Sequence, residues 1–209
     1  MPARFFVDGP AGPLEAMLDA VPEGQPERGL GLVCHPHPLH GGTMDNKVAQ
    51  TLARAFAQAG YRTLRFNFRG VGGSAGAWDE GRGETQDALA ALASQRREGE
   101  PVLLGGFSFG GFVAAQLAQH LADRGEAAPQ MVLAGPAAGS FPLPPVPSHT
   151  LVVHGEADEV IPLGAVLDWA RPQTLPVVVL PGVGHFFHGQ LLRLRELVGQ
   201  HLRAAQAAH

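Results

Sequence analysis

A chain of 209 residues with 45% hydrophobic content can bury a sizeable core, and it is expected to fold as one domain over residues 1–209. Its net charge of −4 is spread without a long run of either sign, so neither a nucleic-acid face nor a basic membrane-binding surface is expected. Cys34 is the only cysteine, which excludes an internal disulfide; no apolar run reaches membrane-spanning length and Met1-Pro2-Ala3-Arg4-Phe5-Phe6 lacks the apolar core of a leader, so a cytoplasmic location is expected.

Residues 4–21 read as two short strands around the turn at Asp8–Pro13, and Leu30–Cys34 as a buried strand. A helix is predicted from about Asn46 to Ala59, with Val48, Leu52, Ala55 and Phe56 on one face and Gly60 ending it. Tyr61–Phe68 alternates as a strand does, and a helix over Glu84–Gln95 follows a glycine-rich loop. Pro101–Gly105 is an apolar strand that runs into a turn and then a helix to about Asp123. Met131–Ala134, Thr150–His154 and Val177–Leu180 are further strands, with helices at Leu163–Ala170 and Gln190–Ala205. The alternation predicts an α/β fold: a doubly wound, mostly parallel sheet with helices on both faces. Ligands of such sheets bind outside the carboxyl ends of the strands, and every motif below falls at such an end.

The turn is Gly106-Phe107-Ser108-Phe109-Gly110-Gly111. Gly-x-Ser-x-Gly between strand and helix has the spacing of a nucleophile elbow. A serine lifted on that turn needs neighbours without Cβ two residues away, because strand and helix crowd there. The turn also aims the Phe109 N–H, at the positive end of a helix, where an oxyanion beside Ser108 would form.

A serine at neutral pH is a poor nucleophile and requires a base, and the base requires a carboxylate to fix its tautomer. Asp158, in His154-Gly155-Glu156-Ala157-Asp158-Glu159, follows one strand, and His185, in Pro181-Gly182-Val183-Gly184-His185, follows the next. Glu156 and Glu159 compete with Asp158 as the acid; His188 competes with His185, which is favoured for its place on the glycine-rich loop.

With His35-Pro36-His37-Pro38-Leu39-His40-Gly41-Gly42, Phe66–Ser74, the elbow and the Asp158 and His185 loops in this order, the chain resembles the α/β-hydrolase superfamily. Within it, the chain is similar to small lidless bacterial hydrolases related to dienelactone hydrolases and to prolyl oligopeptidase catalytic domains. The resemblance implies Ser108 as nucleophile, Asp158 as acid, His185 as base, and an oxyanion hole formed by the backbone N–H of Phe109 and a second donor after the Leu30–Cys34 strand. By position that donor is His37, with Leu39 the alternative, since Pro36 and Pro38 have no N–H. Dienelactone hydrolases carry a cysteine where this chain has Ser108, and 209 residues leave no room for an oligopeptidase propeller. The Gly135–Ser148 connection is too short for a helical cap, so an open site without a cap domain is expected.

The reaction these residues imply is two-step acyl transfer to water, with a small ester as substrate and carboxylesterase the leading reading. A thioesterase, a small peptidase or an amidase would use the same parts. From other classes, a zinc hydrolase built on His35, His37 and His40 or a non-catalytic binding protein is conceivable. The zinc motif with this spacing has an Asp where Leu39 stands, and two prolines separate the histidines, so no metal is expected. Gly70–Ala75 matches part of a dinucleotide fingerprint but opens no helix at once and has no acidic residue ending a following strand, so no cofactor is expected. Cys34 is read as a core residue, and a monomer is favoured over an assembly.

Overall fold

The computed structural model describes residues 3–126 and 129–207; Met1 and Pro2, at the head of the stretch read for a leader, lie outside them. The first two strands form the hairpin β1 (Arg4–Gly9) and β2 (Gly12–Asp19), registered so that Val7 faces Leu14. The remaining strands are β3 (Gly29–Cys34), β4 (Tyr61–Phe66), β5 (Val102–Phe107), β6 (Gln130–Ala134), β7 (Leu151–Gly155) and β8 (Val177–Leu180). They complete one eight-stranded sheet in the order β1-β2-β4-β3-β5-β6-β7-β8. β2 runs antiparallel to β1 and β4, and every later pairing is parallel.

From β3 the chain crosses to β4 on one side, and from β4 it crosses back past β3 to β5 on the other. The crevice between the carboxyl ends of β3 and β5 is therefore the switch point at which such sheets bind ligands. Both the His35–Gly42 loop and the Ser108 turn open into it.

Helices α1 (Lys47–Gln58) and α5 (Leu191–Ala207) cover one face, packing Val48, Leu52, Phe56, Leu194, Val198 and Leu202. Helices α2 (Arg82–Gln95), α3 (Phe109–Asp123) and α4 (Leu163–Ala170) cover the other with Ala88, Leu92, Val113, Leu117 and Val166. Leu103 and Leu104 of β5 go to opposite layers, as the pleat demands. The predicted boundaries of α1 hold because Asn46 accepts the Val48 and Ala49 N–H groups at 2.9 and 3.3 Å. No helix among the described residues is long and apolar enough to cross a membrane.

Two details differ from expectation. β4 stops at Phe66 rather than Phe68, and all six of its residues are buried although the pattern alternates. The polar positions are covered by ion pairs: Arg62 with Glu100 and Glu27, and Arg65 with Asp19 at 2.6 Å. Helix α2 starts at Arg82, ahead of Glu84, because the buried Glu84 carboxylate accepts the Asp79 and Gly81 N–H groups at 2.9 and 2.7 Å. The 135–150 connection contains no helix, so no cap covers the carboxyl edge.

The loop leaving β4 is tied down by one buried carboxylate. Asp87 of α2 accepts the Arg69 N–H at 3.1 Å and its guanidinium at 2.9 and 2.7 Å. Asp87→Ala strands a largely buried arginine and should cost about 3–5 kcal/mol of unfolding free energy. Urea titration checks this; a loss under about 1 kcal/mol, the worth of a surface pair, would show that the pair does not anchor the loop.

Candidate active site

A single residue, Ser108, joins β5 to α3, and it takes φ 55° and ψ −121°. A positive φ at a residue with a Cβ is strained by roughly 1–3 kcal/mol and persists only where its surroundings over-determine it. Here the Ser108 N–H donates to the Ala134 carbonyl at 3.1 Å, and the Ser108 carbonyl accepts from Gly111 at 2.9 Å and Ala137 at 3.3 Å. The flanking glycines are required by contact. A Cβ on Gly106 would lie 2.2 Å from the Gly110 carbonyl oxygen, and one on Gly110 would lie 2.2 Å from that of Cys34. Both obstacles are main chain and cannot swing aside.

The structure brings Ser108, His185 and Asp158 into one hydrogen-bonded chain. His185 Nε2 stands 3.0 Å from Ser108 Oγ, and His185 Nδ1 stands 2.7 Å from Asp158 Oδ2. Asp158 Oδ1 accepts the Val160 and Ile161 N–H groups at 2.9 and 2.7 Å. Burial alone would push this carboxyl up, but the hydrogen bonds from His185, Ile161 and Val160 outweigh it and hold its pKa below the usual aspartate value. An ionised Asp158 places the proton on Nδ1 and leaves the Nε2 lone pair for the serine hydroxyl.

The competitors stand elsewhere. Glu156 accepts the Gly182 N–H at 2.9 Å and so ties the base loop to the acid loop, while Glu159 is exposed. His188 is exposed and stacks on Phe186 at 5.8 Å.

Two backbone N–H groups, those of Phe109 and His37, have no acceptor among the described residues. The Phe109 N–H, in the first turn of α3, has no partner among the described residues, as helix geometry dictates. Of the two candidates after β3, the Leu39 N–H is already donated to His37 Nδ1 at 3.2 Å in a short 3-10 turn, Pro38–His40. The His37 N–H has no acceptor among the described residues. The His37 ring lies against Trp78 at 4.5 Å, His40 at 4.4 Å and Phe109 at 5.2 Å, and burial, with His40 beside it, lowers its pKa.

The three histidines of the His35–His40 loop do not converge as metal ligands. His35 is fully buried, donates Nδ1–H to the Pro36 carbonyl at 2.7 Å and accepts the Phe68 N–H on Nε2 at 3.0 Å. It has no lone pair to offer, and burial lowers its pKa to about 3. No group of three His, Cys, Asp or Glu side chains among the described residues could hold a metal ion. Cys34 is buried beneath the elbow, where its thiol pKa is raised.

The glycine-rich Gly70–Ala75 segment is a support. Its Ser74 hydroxyl accepts the Glu15 N–H at 2.9 Å and donates to the Asn67 carbonyl at 2.7 Å. Asn67 in turn donates to Glu15 at 2.7 Å and accepts the Met44 N–H at 2.8 Å, holding the exit of the His35–Gly42 loop. Sequence reasoning missed Glu15 and Asn67, whose 52-residue separation leaves no local signal.

The chain is similar to several known proteins. Residues 37–148 match the serine aminopeptidase family S33. A serine hydrolase without a lid from Xanthomonas campestris superposes with a TM-score of 0.89 at 36% identity, covering 97% of this chain and 94% of that one. An uncharacterised protein of Rickettsia prowazekii is 31% identical over 99% of this chain and 91% of its own length. A lysophosphatidylserine lipase of Danio rerio is 35% identical over 102 residues, 47% of this chain and 26% of its own.

Two outcomes are expected. Gly110→Ala should abolish labelling of Ser108 by a fluorophosphonate, whereas Gly164→Ala, whose Cβ meets nothing within 4 Å, should leave it intact; equal labelling would refute the crowding. Because His35 gains its proton near pH 3 when folded and near 6.5 when free, the unfolded chain holds more protons between those values. The stability this adds is complete above about pH 6.5 and is lost as pH falls toward 3, by up to roughly 1.4 kcal/mol per pH unit. Urea unfolding at several pH values should give a shallower slope for His35→Gln than for the wild type.

Proposed function

The chain belongs to the α/β-hydrolase superfamily and to its serine hydrolases, and on that premise we propose that it is a carboxylesterase acting on small, accessible esters through Ser108, His185 and Asp158. The observation that carries this reading is the chain of 3.0 and 2.7 Å contacts from Ser108 to His185 to Asp158, with the partnerless Phe109 N–H beside it.

Ser108 Oγ attacks the ester carbonyl carbon while His185 Nε2 takes its proton. The carbonyl oxygen becomes an oxyanion held by the Phe109 and His37 N–H groups, and Asp158 stabilises the imidazolium without taking the proton. The C–O bond to the alcohol breaks and His185 returns the proton to the leaving oxygen. Water then gives a proton to His185 and attacks the acyl-enzyme; collapse frees the carboxylic acid and restores Ser108.

An apolar, uncharged substrate is supported by Leu39, Val160 and Phe186, which lie two residues from His37, two from Asp158 and one from His185 and are 66%, 50% and 43% exposed. With no cap above them, a short acyl group reaches Ser108 without a lid opening. The name of the S33 family supports a second reading, amide hydrolysis, in which His185 protonates an amine instead of an alcohol.

Hydrolysis of p-nitrophenyl acetate and butyrate, beside alanine p-nitroanilide, tests both. The wild type is expected to cleave the esters and Ser108→Ala to lose about ten-thousand-fold or more of kcat/KM. A faster anilide reaction would establish the second reading, and full activity in Ser108→Ala would overturn both.

A further inference from the structure

His154 lies in β7 and touches the loop that carries Asp158. Its side chain is fully buried, four residues before Asp158. Its Nε2 lies 2.9 Å from the Ile161 carbonyl oxygen and 3.6 Å from Asp158 Oδ2, the oxygen that faces His185. A nitrogen that bonds a carbonyl must carry the proton, so Nε2 is the N–H and Nδ1 is a bare lone pair. That Nδ1 is buried with no partner among the described residues. An orphaned buried acceptor is destabilising, and it is a cost that an apolar side chain here would not incur. A purely packing role does not account for a histidine in this place.

What the histidine accomplishes is visible in the loop it touches. Residues 158–161 form a clamp in which Asp158 Oδ1 accepts the Ile161 N–H at 2.7 Å from one side. His154 takes hold of the Ile161 carbonyl from the other. The Ile161 peptides are thus fixed at both ends, and with them the direction of the carboxylate. The same N–H dipole faces Asp158 Oδ2 just beyond hydrogen-bond distance. Burial lowers the pKa of His154, so it meets Asp158 as a neutral dipole and not as a competing cation for the carboxylate that His185 needs.

We propose that His154 is a positioning residue: through its Nε2–H on the Ile161 carbonyl it holds Asp158 Oδ2 on His185 Nδ1. The proposal rests on the reading of Ser108, His185 and Asp158 as the reacting chain.

The test uses His154→Met, which keeps length and loses the donor, and His154→Gln, whose amide nitrogen reaches close to where Nε2 stands. His154→Met should lower kcat for p-nitrophenyl acetate and the rate of fluorophosphonate labelling by about ten- to a hundredfold, with KM nearly unchanged. His154→Gln should stay within about threefold of wild type, since the donor is kept. In an Asp158→Asn background, His154→Met should cause no further loss, because the group it positions is already gone. The downfield proton resonance of the His185–Asp158 hydrogen bond should persist in His154→Gln and weaken in His154→Met. Should His154→Met not fold, His154→Asn, whose amide is too short to reach Ile161, carries the same expectation. Wild-type rates in the donorless variant, or the same fold-loss with and without the Asp158 carboxylate, would overturn the proposal. A wild-type enzyme that no fluorophosphonate labels on Ser108 would instead overturn the reading of the site on which it rests.

Discussion

Three stretches of main chain meet under Ser108 with no space for a side chain between them: the end of β5, the first turn of α3 and the exit of β3. This closeness is the constraint on which the rest of the site depends. It goes with the positive φ of Ser108, whose Oγ lies 3.0 Å from His185 Nε2. By bringing α3 onto the Cys34 and His35 carbonyls, it also sets the distance between the two backbone donors, one on each element. The proposed nucleophile and the proposed oxyanion position are therefore two aspects of one packing contact.

Loops at the carboxyl edge are tied by buried polar groups as well as by apolar packing. Asp87 anchors Arg69, Glu15 and Asn67 anchor the glycine-rich turn and Met44, and His35 bridges Pro36 to Phe68. Such groups lose much of their interaction energy to desolvation and add little net stability. Their value lies in direction: a hydrogen bond tolerates a narrow range of geometry, while two apolar surfaces slide. The edge of the sheet where chemistry would occur is thus fixed by directional contacts, and the two flanking layers supply the hydrophobic burial.

Local sequence was informative wherever the determinant was local. The elbow needs glycines at fixed offsets from Ser108, and Asn46 marks the start of α1, so both were legible. The strand–helix alternation likewise sufficed for the sheet, because hydrophobic runs and their spacing decide which elements form. Choices that hang on loop geometry were open. Asp158, Glu156 and Glu159 are equally acidic on paper; only the tight turn that presents the Val160 and Ile161 N–H groups distinguishes Asp158. His37 and Leu39 differ because a 3-10 turn consumes one N–H and leaves the other. The burial of the β4 arginines has no local signal, since their partners Glu100 and Asp19 lie 38 and 46 residues away.

The order of strands has a bearing on how such a protein would lose its competence. β8 is an edge strand paired only with β7, all four of its residues are half-buried, and the loop bearing His185 hangs directly from it. Ser108, by contrast, follows a strand buried between two neighbours. Peripheral strands open at lower free energy than central ones. The proposed base, His185, is consequently suspended from the part of the sheet expected to fray first, while the proposed nucleophile, Ser108, is seated in the part expected to fray last. In the language of cooperative units, the two halves of the proposed proton relay belong to regions of different local stability, and inactivation by heat follows the weaker one.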